Sequence, residues 1–164
     1  MVELRHLQVN EEKLLIPMLK KMYASVAEED LASRYSVIAN SAWRCVGAFC
    51  SGELIGMAGY WVNTRFYCGR YMYVDHFYID QGFRREGLAP KFMQFLRDRA
   101  REDSCEQLCL DTFVSNQIAQ KLWFKEGFSI VGFHFVHPLW RCSSRTVNSL
   151  VEVVSHEDQG IYRR

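Results

Sequence analysis

Charge of one sign is missing from this chain: 20 Lys and Arg stand against 19 Asp and Glu over 164 residues, a formal net charge of +1. That balance removes the electrostatic footprint of a nucleic-acid binder or of a partner for polyanions. No apolar run approaches the ~18 residues of a membrane span, and the opening MVELRHLQVNEEKLL lacks the unbroken apolar stretch of a signal peptide. The expectation is a cytoplasmic protein with no nucleic-acid and no membrane partner. Proline is scarce, at three residues, and no linker, repeat or low-complexity tract interrupts the chain. The six cysteines (Cys45, Cys50, Cys68, Cys105, Cys109 and Cys142) lack the C-x2-C pairing of a zinc site, and no secreted context supports a disulfide framework. They read as free, buried thiols, with no metal site. A chain of this length with 49% hydrophobic residues suffices for one core, so residues 1–164 read as a single domain, monomeric or homodimeric.

What is present alternates between strand and helix signals. Val2 to Gln8 reads as a first strand, and Asn10 as the cap of a helix through Glu11, Leu14, Leu15, Met18, Leu19 and Met22, with Pro17 predicting a kink or late start. A second short helix is expected between Ala24 and Ala42. Arg44–Phe49 and Leu54–Val62 read as strands joined by the hairpin turn Ser51-Gly52, and Tyr71–Ile79 as a third. A helix from Pro90 to about Glu102 follows, then a strand from Gln107 to Val114, a helix from Asn116 to Glu126 stopped by Gly127, and strands from Phe128 through Val136. Val147 to Val154 reads as a final strand or helix. This order predicts a three-layer α/β domain: a curved, mixed, mainly antiparallel central sheet of six or seven strands flanked by about four helices.

The densest chemical signal is QGFRREGLAPKFMQFL, Gln81 to Leu96, where a basic, glycine-containing turn joins an aromatic-rich strand to an amphipathic helix. Gly87 and Ala89 leave room for a ligand to reach the backbone, and Pro90 suits a first helical turn. The apolar positions Phe92, Phe95, Leu96 and Ala100 give the helix one buried stripe, with Arg97, Asp98, Arg99 and Arg101 outside it. Free amides at such a helix start, with Arg84 and Arg85 beside them, suit a phosphate or pyrophosphate without a metal.

At these residues the chain resembles the GNAT superfamily of N-acetyltransferases, whose acetyl-CoA signature is Arg or Gln, two residues, Gly, one residue, then Gly or Ala. Arg84, Gly87 and Ala89 fill it here. The stretch NQIAQKLWFKEGF from Asn116 is similar to the family's second signature. The resemblance implies a GNAT-like fold and transfer of acetyl from acetyl-CoA to a primary amine, by direct attack in a ternary complex. It also implies cofactor contacts from Arg84, Arg85, Gly87, Leu88, Ala89 and Pro90, from the backbone of Phe77 and Ile79, and from Asn116. Asn116 reads equally as a plain helix cap. For the proton of the acceptor, Asp75 stands where relatives similar to the spermidine/spermine acetyltransferases carry an acid. His76 is the rival, and strand alternation puts it on the opposite face, so only one of the two should face the acceptor.

Both also read as a non-catalytic polar pair. The acidic run Glu28, Glu29, Asp30 suits a cationic acceptor or simply a solvated helix start. Candidate acceptors run over polyamines, amino acids, antibiotics and protein N-termini or lysines, and an acetyl-CoA-binding regulatory module is the alternative to an enzyme. One departure bears on mechanism: Trp123 stands where many members carry a Tyr acting as general acid, and indole does not ionise usefully. Either another hydroxyl such as Tyr60, Tyr73 or Tyr78 serves instead, or water protonates the leaving thiolate. If the missing acid limits the rate, Trp123→Tyr raises turnover in an amine-dependent thiol-release assay; unchanged or lower turnover removes that idea.

Overall fold

The aromatic and β-branched runs pair into one five-stranded sheet, in the order β1 (Val2–His6), β2 (Arg44–Cys50), β3 (Glu53–Arg65), β4 (Gly69–Ile79) and β5 (Gln107–Leu110). Strands β1 to β4 are antiparallel neighbours, and β5 joins β4 in parallel. The helices are α1 (Glu12–Met22), α2 (Glu28–Ala39), α3 (Leu88–Glu102) and α4 (Gln117–Lys125). This computed structural model describes residues 1–137 and 139, so Cys142 and the stretch Val147 to Val154 lie outside the described residues. Contacts divide the chain into two compact units, Met1–Leu110 and Asp111–Arg164.

In the first unit two apolar layers sandwich the sheet. Leu15, Ile16, Met18 and Leu19 of α1 and Leu31 and Tyr35 of α2 pack against Cys45, Phe49, Leu54 and Met57. On the other face lie Val46, Ala58, Tyr60 and Met72, covered by Phe92, Met93 and Leu96 of α3, all of them fully buried. Phe92 meets Phe77 edge-on at 5.5 Å between ring centroids, and Phe95 meets His6 at 5.5 Å. Full burial of such side chains stabilises by roughly 1.5–3 kcal/mol each. The same sum explains why α1 runs through Pro17 rather than starting after it. Burial of four large side chains offsets the ~3 kcal/mol or more that an interior proline costs.

Three sequence expectations need correction. Asn10 does not cap α1; the chain enters through a 3-10 turn at Val9–Glu11, with Glu11 at the cap position. The Glu11 carboxylate turns back to Arg5, at 2.7 and 2.8 Å, and to the Gln8 N–H, at 2.9 Å. Those bonds hold its pKa down to about 2, the Arg5 hydrogen bond contributing most. The strand expected over Gln107–Val114 ends at Leu110. The stretch from Phe128 to Val136 forms no strand among the described residues, and Ile130, Val131, Phe133, Phe135 and Val136 are exposed. Strand propensity is local, whereas a ladder needs a partner that local sequence does not name.

The second unit contains α4, which ends as its glycine predicts. Gly127 adopts φ 87°, its N–H bonds Phe124 O at 3.1 Å, and the Phe128 N–H bonds Trp123 O at 3.0 Å. This is the Schellman closure, completed by Trp123 against Phe128 at 5.9 Å between centroids. Trp123 is therefore buried as the apolar partner of a helix stop. Five of the six cysteines are described and all five are free thiols, with burial pushing the Cys45 thiol up. Leu96 is fully buried between α3 and the sheet, so Leu96→Ala should cost about 2–5 kcal/mol in urea unfolding.

Candidate active site

Three features of the first unit converge on the end of β4. The first is the turn. After Ile79 a 3-10 turn, Gln81–Phe83, leads to Arg85 at φ 67° and Gly87 at φ 76°, and α3 begins at Leu88. Left-handed residues in a turn cup successive N–H groups into an anion-binding concavity, and the first helical turn adds N–H groups free of its own ladder. A side chain added at Gly87 would meet nothing within 4 Å, so the space over the turn is open. Leu88 is buried and anchors the helix start, while Arg84, Arg85, Gly87 and Pro90 are exposed. The two arginines differ. Arg84 folds back, its Nε donating to Ile79 O at 2.9 Å and its guanidinium lying 5.5 Å from the Tyr78 ring centroid. Before the turn, Asp80 is held by an ion pair with Lys21 at the end of α1, which lowers the Asp80 pKa and raises that of Lys21.

The second feature is the end of β4. Among the described residues β5 pairs with β4 from Tyr71↔Gln107 to Val74↔Leu110, and β4 continues to Ile79.

The third is a bulge that overturns the alternation argument. Gly59 pairs with Asp75 and Met57 with Tyr78, so His76 and Phe77 together face Ala58 alone. His76 takes φ 47°. The extra residue breaks the period of two, and Asp75 and His76 come together instead of parting: His76 Nε2 lies 3.3 Å from Asp75 Oδ2. Two indoles grip the same carboxylate, Trp43 Nε1 donating to Oδ1 at 3.0 Å and Trp61 Nε1 to Oδ2 at 2.9 Å. On the far side of the imidazole the Tyr23 hydroxyl lies 2.7 Å from His76 Nδ1. An imidazole protonated at Nε2 turns its N–H to the carboxylate and accepts from Tyr23 at Nδ1, the tautomer that suits both neighbours. Burial, and then the charge of Asp75, push Tyr23 up to about 12, so it is present as a hydroxyl.

Tyr23 and Trp43 were absent from the sequence-derived site. Tyr23 is the residue after α1, and Trp43 lies between α2 and β2. Only the interior glycines of LIGMAGY hinted at an irregular strand. Gly59 makes the cluster possible, because a Cβ there would sit 2.5 Å from Trp43 Cζ2 and 2.6 Å from Asp75 Oδ1.

Other candidates fall elsewhere. Tyr60 is fully buried under α3 and shares a 2.8 Å hydrogen bond with His6, away from Asp75. Glu28, Glu29 and Asp30 are exposed and form the first turn of α2, where the helix dipole favours acids. In the second unit Asn116 caps α4, its Oδ1 accepting the Ala119 N–H at 3.0 Å. Among the described residues no helix is long and apolar enough to cross a membrane.

A three-layer α/β unit with an open, left-handed turn between a long central strand and a helix is a frame that can carry many chemistries. Comparison with known proteins makes this specific. The model of the acetyltransferase (GNAT) family matches residues 14–128. The chain belongs to that family. It is 30% identical over 90 residues to the "GCN5-related N-acetyltransferase 6, chloroplastic" of Arabidopsis thaliana, an alignment over 51% of this chain and 31% of that relative. The chain thus spans about a third of the length of that curated relative.

Solved structures share the fold. An aminoglycoside N-acetyltransferase in complex with CoA superposes with a TM-score of 0.75 at 16% identity, covering 87% of this chain and 96% of that one. A ribosomal-protein-alanine N-acetyltransferase from Brucella melitensis gives 0.72 at 22% identity, over 84% and 99%. A glucosamine-6-phosphate N-acetyltransferase from Arabidopsis thaliana gives 0.66 at 20% identity, over 85% and 99%.

The close approach at Gly59 leads to a direct check. Gly59→Ala should destabilise by about 1–3 kcal/mol through overpacking and displace the Trp43 ring from Asp75. Denaturant unfolding and the indole N–H resonances of Trp43 and Trp61 report the two effects separately.

Proposed function

We propose that this protein transfers acetyl from acetyl-CoA to a primary amine, by direct attack within a ternary complex. The observation that carries the reading is the open, left-handed turn that joins the end of β4 to the start of α3. The residues fit a pyrophosphate-bearing pantetheine donor. Arg85 and the N–H groups of Gly87, Leu88 and Ala89 suit the pyrophosphate, with Arg84 bracing the turn from Ile79 O. Backbone groups of Phe77 and Ile79 suit an extended arm laid along β4 as an added strand, with an amide near the bulge polarising a carbonyl. Pro90 shapes the helix start, and Asn116 in the second unit caps α4. When bound, acetyl-CoA supplies an acetyl group activated as a thioester.

The chain's own task is the proton. An alkyl ammonium with pKa near ~10.4 resists deprotonation at pH 7 by roughly 4.6 kcal/mol, at ~1.36 kcal/mol per unit. Asp75 and His76 are the proposed acceptors of that proton, directly or through water, and Tyr23, Trp43 and Trp61 position them. The acceptor is a cationic primary amine, drawn to the Asp75 carboxylate. Polyamines, amino acids and aminoglycoside-like amines fit that chemistry, as does a protein N-terminus or lysine. Trp123, buried where a general acid is common, favours one second reading: a regulatory module that binds acetyl-CoA and turns over slowly.

Residues 1–164 are proposed to act as one domain, supported by a family match that runs across both compact units. Its free cysteines suit a reducing compartment such as the cytoplasm.

Thermal unfolding with and without acetyl-CoA, followed by thiol release across a panel of amines, tests the whole reading. Ligand at a hundredfold its Kd should add about 2.7 kcal/mol of stability. Gly87→Glu should lose that stabilisation, because the new side chain strains a φ of 76° and sets a carboxylate against phosphate. A variant that keeps wild-type affinity refutes the assignment of the turn.

A further inference from the structure

Away from the turn, a cleft of about 360 Å³ opens where the end of β1, the start of β2, the end of α2 and the last turns of α3 meet. Arg99 in its wall is eleven residues along α3 from Leu88, roughly 16 Å at ~1.5 Å per residue, so this cleft is separate from the phosphate-binding turn. Its volume falls within the roughly 300–1,000 Å³ of small-molecule sites. Its inner wall is apolar, built from Leu7, Leu15 and Trp43, while His6, Arg44 and Arg99 form the polar side.

The cleft's two arginines are met by two acids, and they differ in how much of each is left exposed to solvent. Asp103 takes Arg99 at 2.8 and 3.1 Å, and Arg99 Nη1 also reaches Glu102 at 3.1 Å. Arg44 touches Asp103 through Nη1 at 3.4 Å and keeps half of its side chain in solvent. Burial lowers the His6 pKa first, and Arg99 and Arg44 then depress it more than Asp103 and Glu102 raise it.

We infer that this cleft is a second ligand site, one that takes a small carboxylate with an apolar or aromatic body. The carboxylate pairs with the unused donors of Arg44, and the body lies on Leu7, Leu15 and the Trp43 ring. Trp43 also donates to Asp75, so one side chain is shared between this site and the polar cluster at the bulge. A ligand that shifts the ring moves a donor of the Asp75 carboxylate. The site therefore offers a route by which an anionic metabolite modulates the acceptor side without touching the cofactor turn.

The test is titration of the full chain with 3-phenylpropionate, followed by the Trp43 indole N–H resonance, with the uncharged 3-phenylpropionamide as control. The acid should shift that resonance saturably and the amide should not. Arg44→Ala should weaken binding about tenfold or more, as expected for loss of a charge-assisted hydrogen bond. Ala39→Phe, which fills the cleft from α2, should abolish it. Both variants should leave the affinity for acetyl-CoA unchanged. No saturable shift at 10-millimolar order of magnitude (~10 mM, a weak-binding ceiling), equal binding of the amide, or wild-type affinity in Arg44→Ala would each overturn the inference.

Discussion

A carboxylate half-withdrawn from water has to be met by donors, and at Asp75 that requirement organises much of the first unit. Trp43 and Trp61 supply one indole N–H to each oxygen, and His76 stands beside the second. Each donor belongs to a different part of the chain, so the carboxylate ties β4 to β3 and to the segment entering β2. Gly59 leaves the space in which Trp43 can reach it. Tyr23 then extends the network to the end of α1 through the imidazole. The cluster is a structural clasp that joins β4, β3, the segment entering β2 and the end of α1.

The bulge opposite Ala58 makes that clasp possible and shapes the edge as well. One extra residue in β4 turns Asp75 and His76 towards each other and sends Phe77 to the α3 side, where it meets Phe92. The same strand loses its β5 partner after Val74 and runs on to the left-handed turn before α3. Lys21 pins Asp80 and Arg84 pins Ile79 O, so the turn is held from both sides by groups that do not fill its open cup. Binding an anion there needs little reorganisation, which is what a preformed site provides.

Trp43 gives the unit a second consequence. Its ring lines the cleft at the far end of α3 while its N–H serves Asp75. That shared side chain is the contact through which a ligand in the proposed cleft would reach the Asp75 carboxylate.

Local chemistry was legible in the sequence wherever a single backbone conformation demands a particular residue. The Ser51-Gly52 hairpin, the left-handed Gly87 before α3 and the Schellman closure at Gly127 all stand where the turn residues indicated. The α/β class and the buried stripe of α3 followed from periodicity, because burial of one face repeats with the geometry of the element. The strand expected beyond Phe128 and the separation of Asp75 from His76 did not follow, since both rest on pairing. A ladder needs a partner, and a bulge is set by the register of two strands. Trp43 meets Asp75 across 32 positions and Tyr23 meets His76 across 53. The sequence by itself determined the turns, the helix stop and the anion-binding signature, because each depends on a few adjacent torsions. Only the tertiary structure decided which side chains surround Asp75 and that Trp43 both lines the cleft and donates to that carboxylate, because those contacts exist only after the sheet has chosen its register.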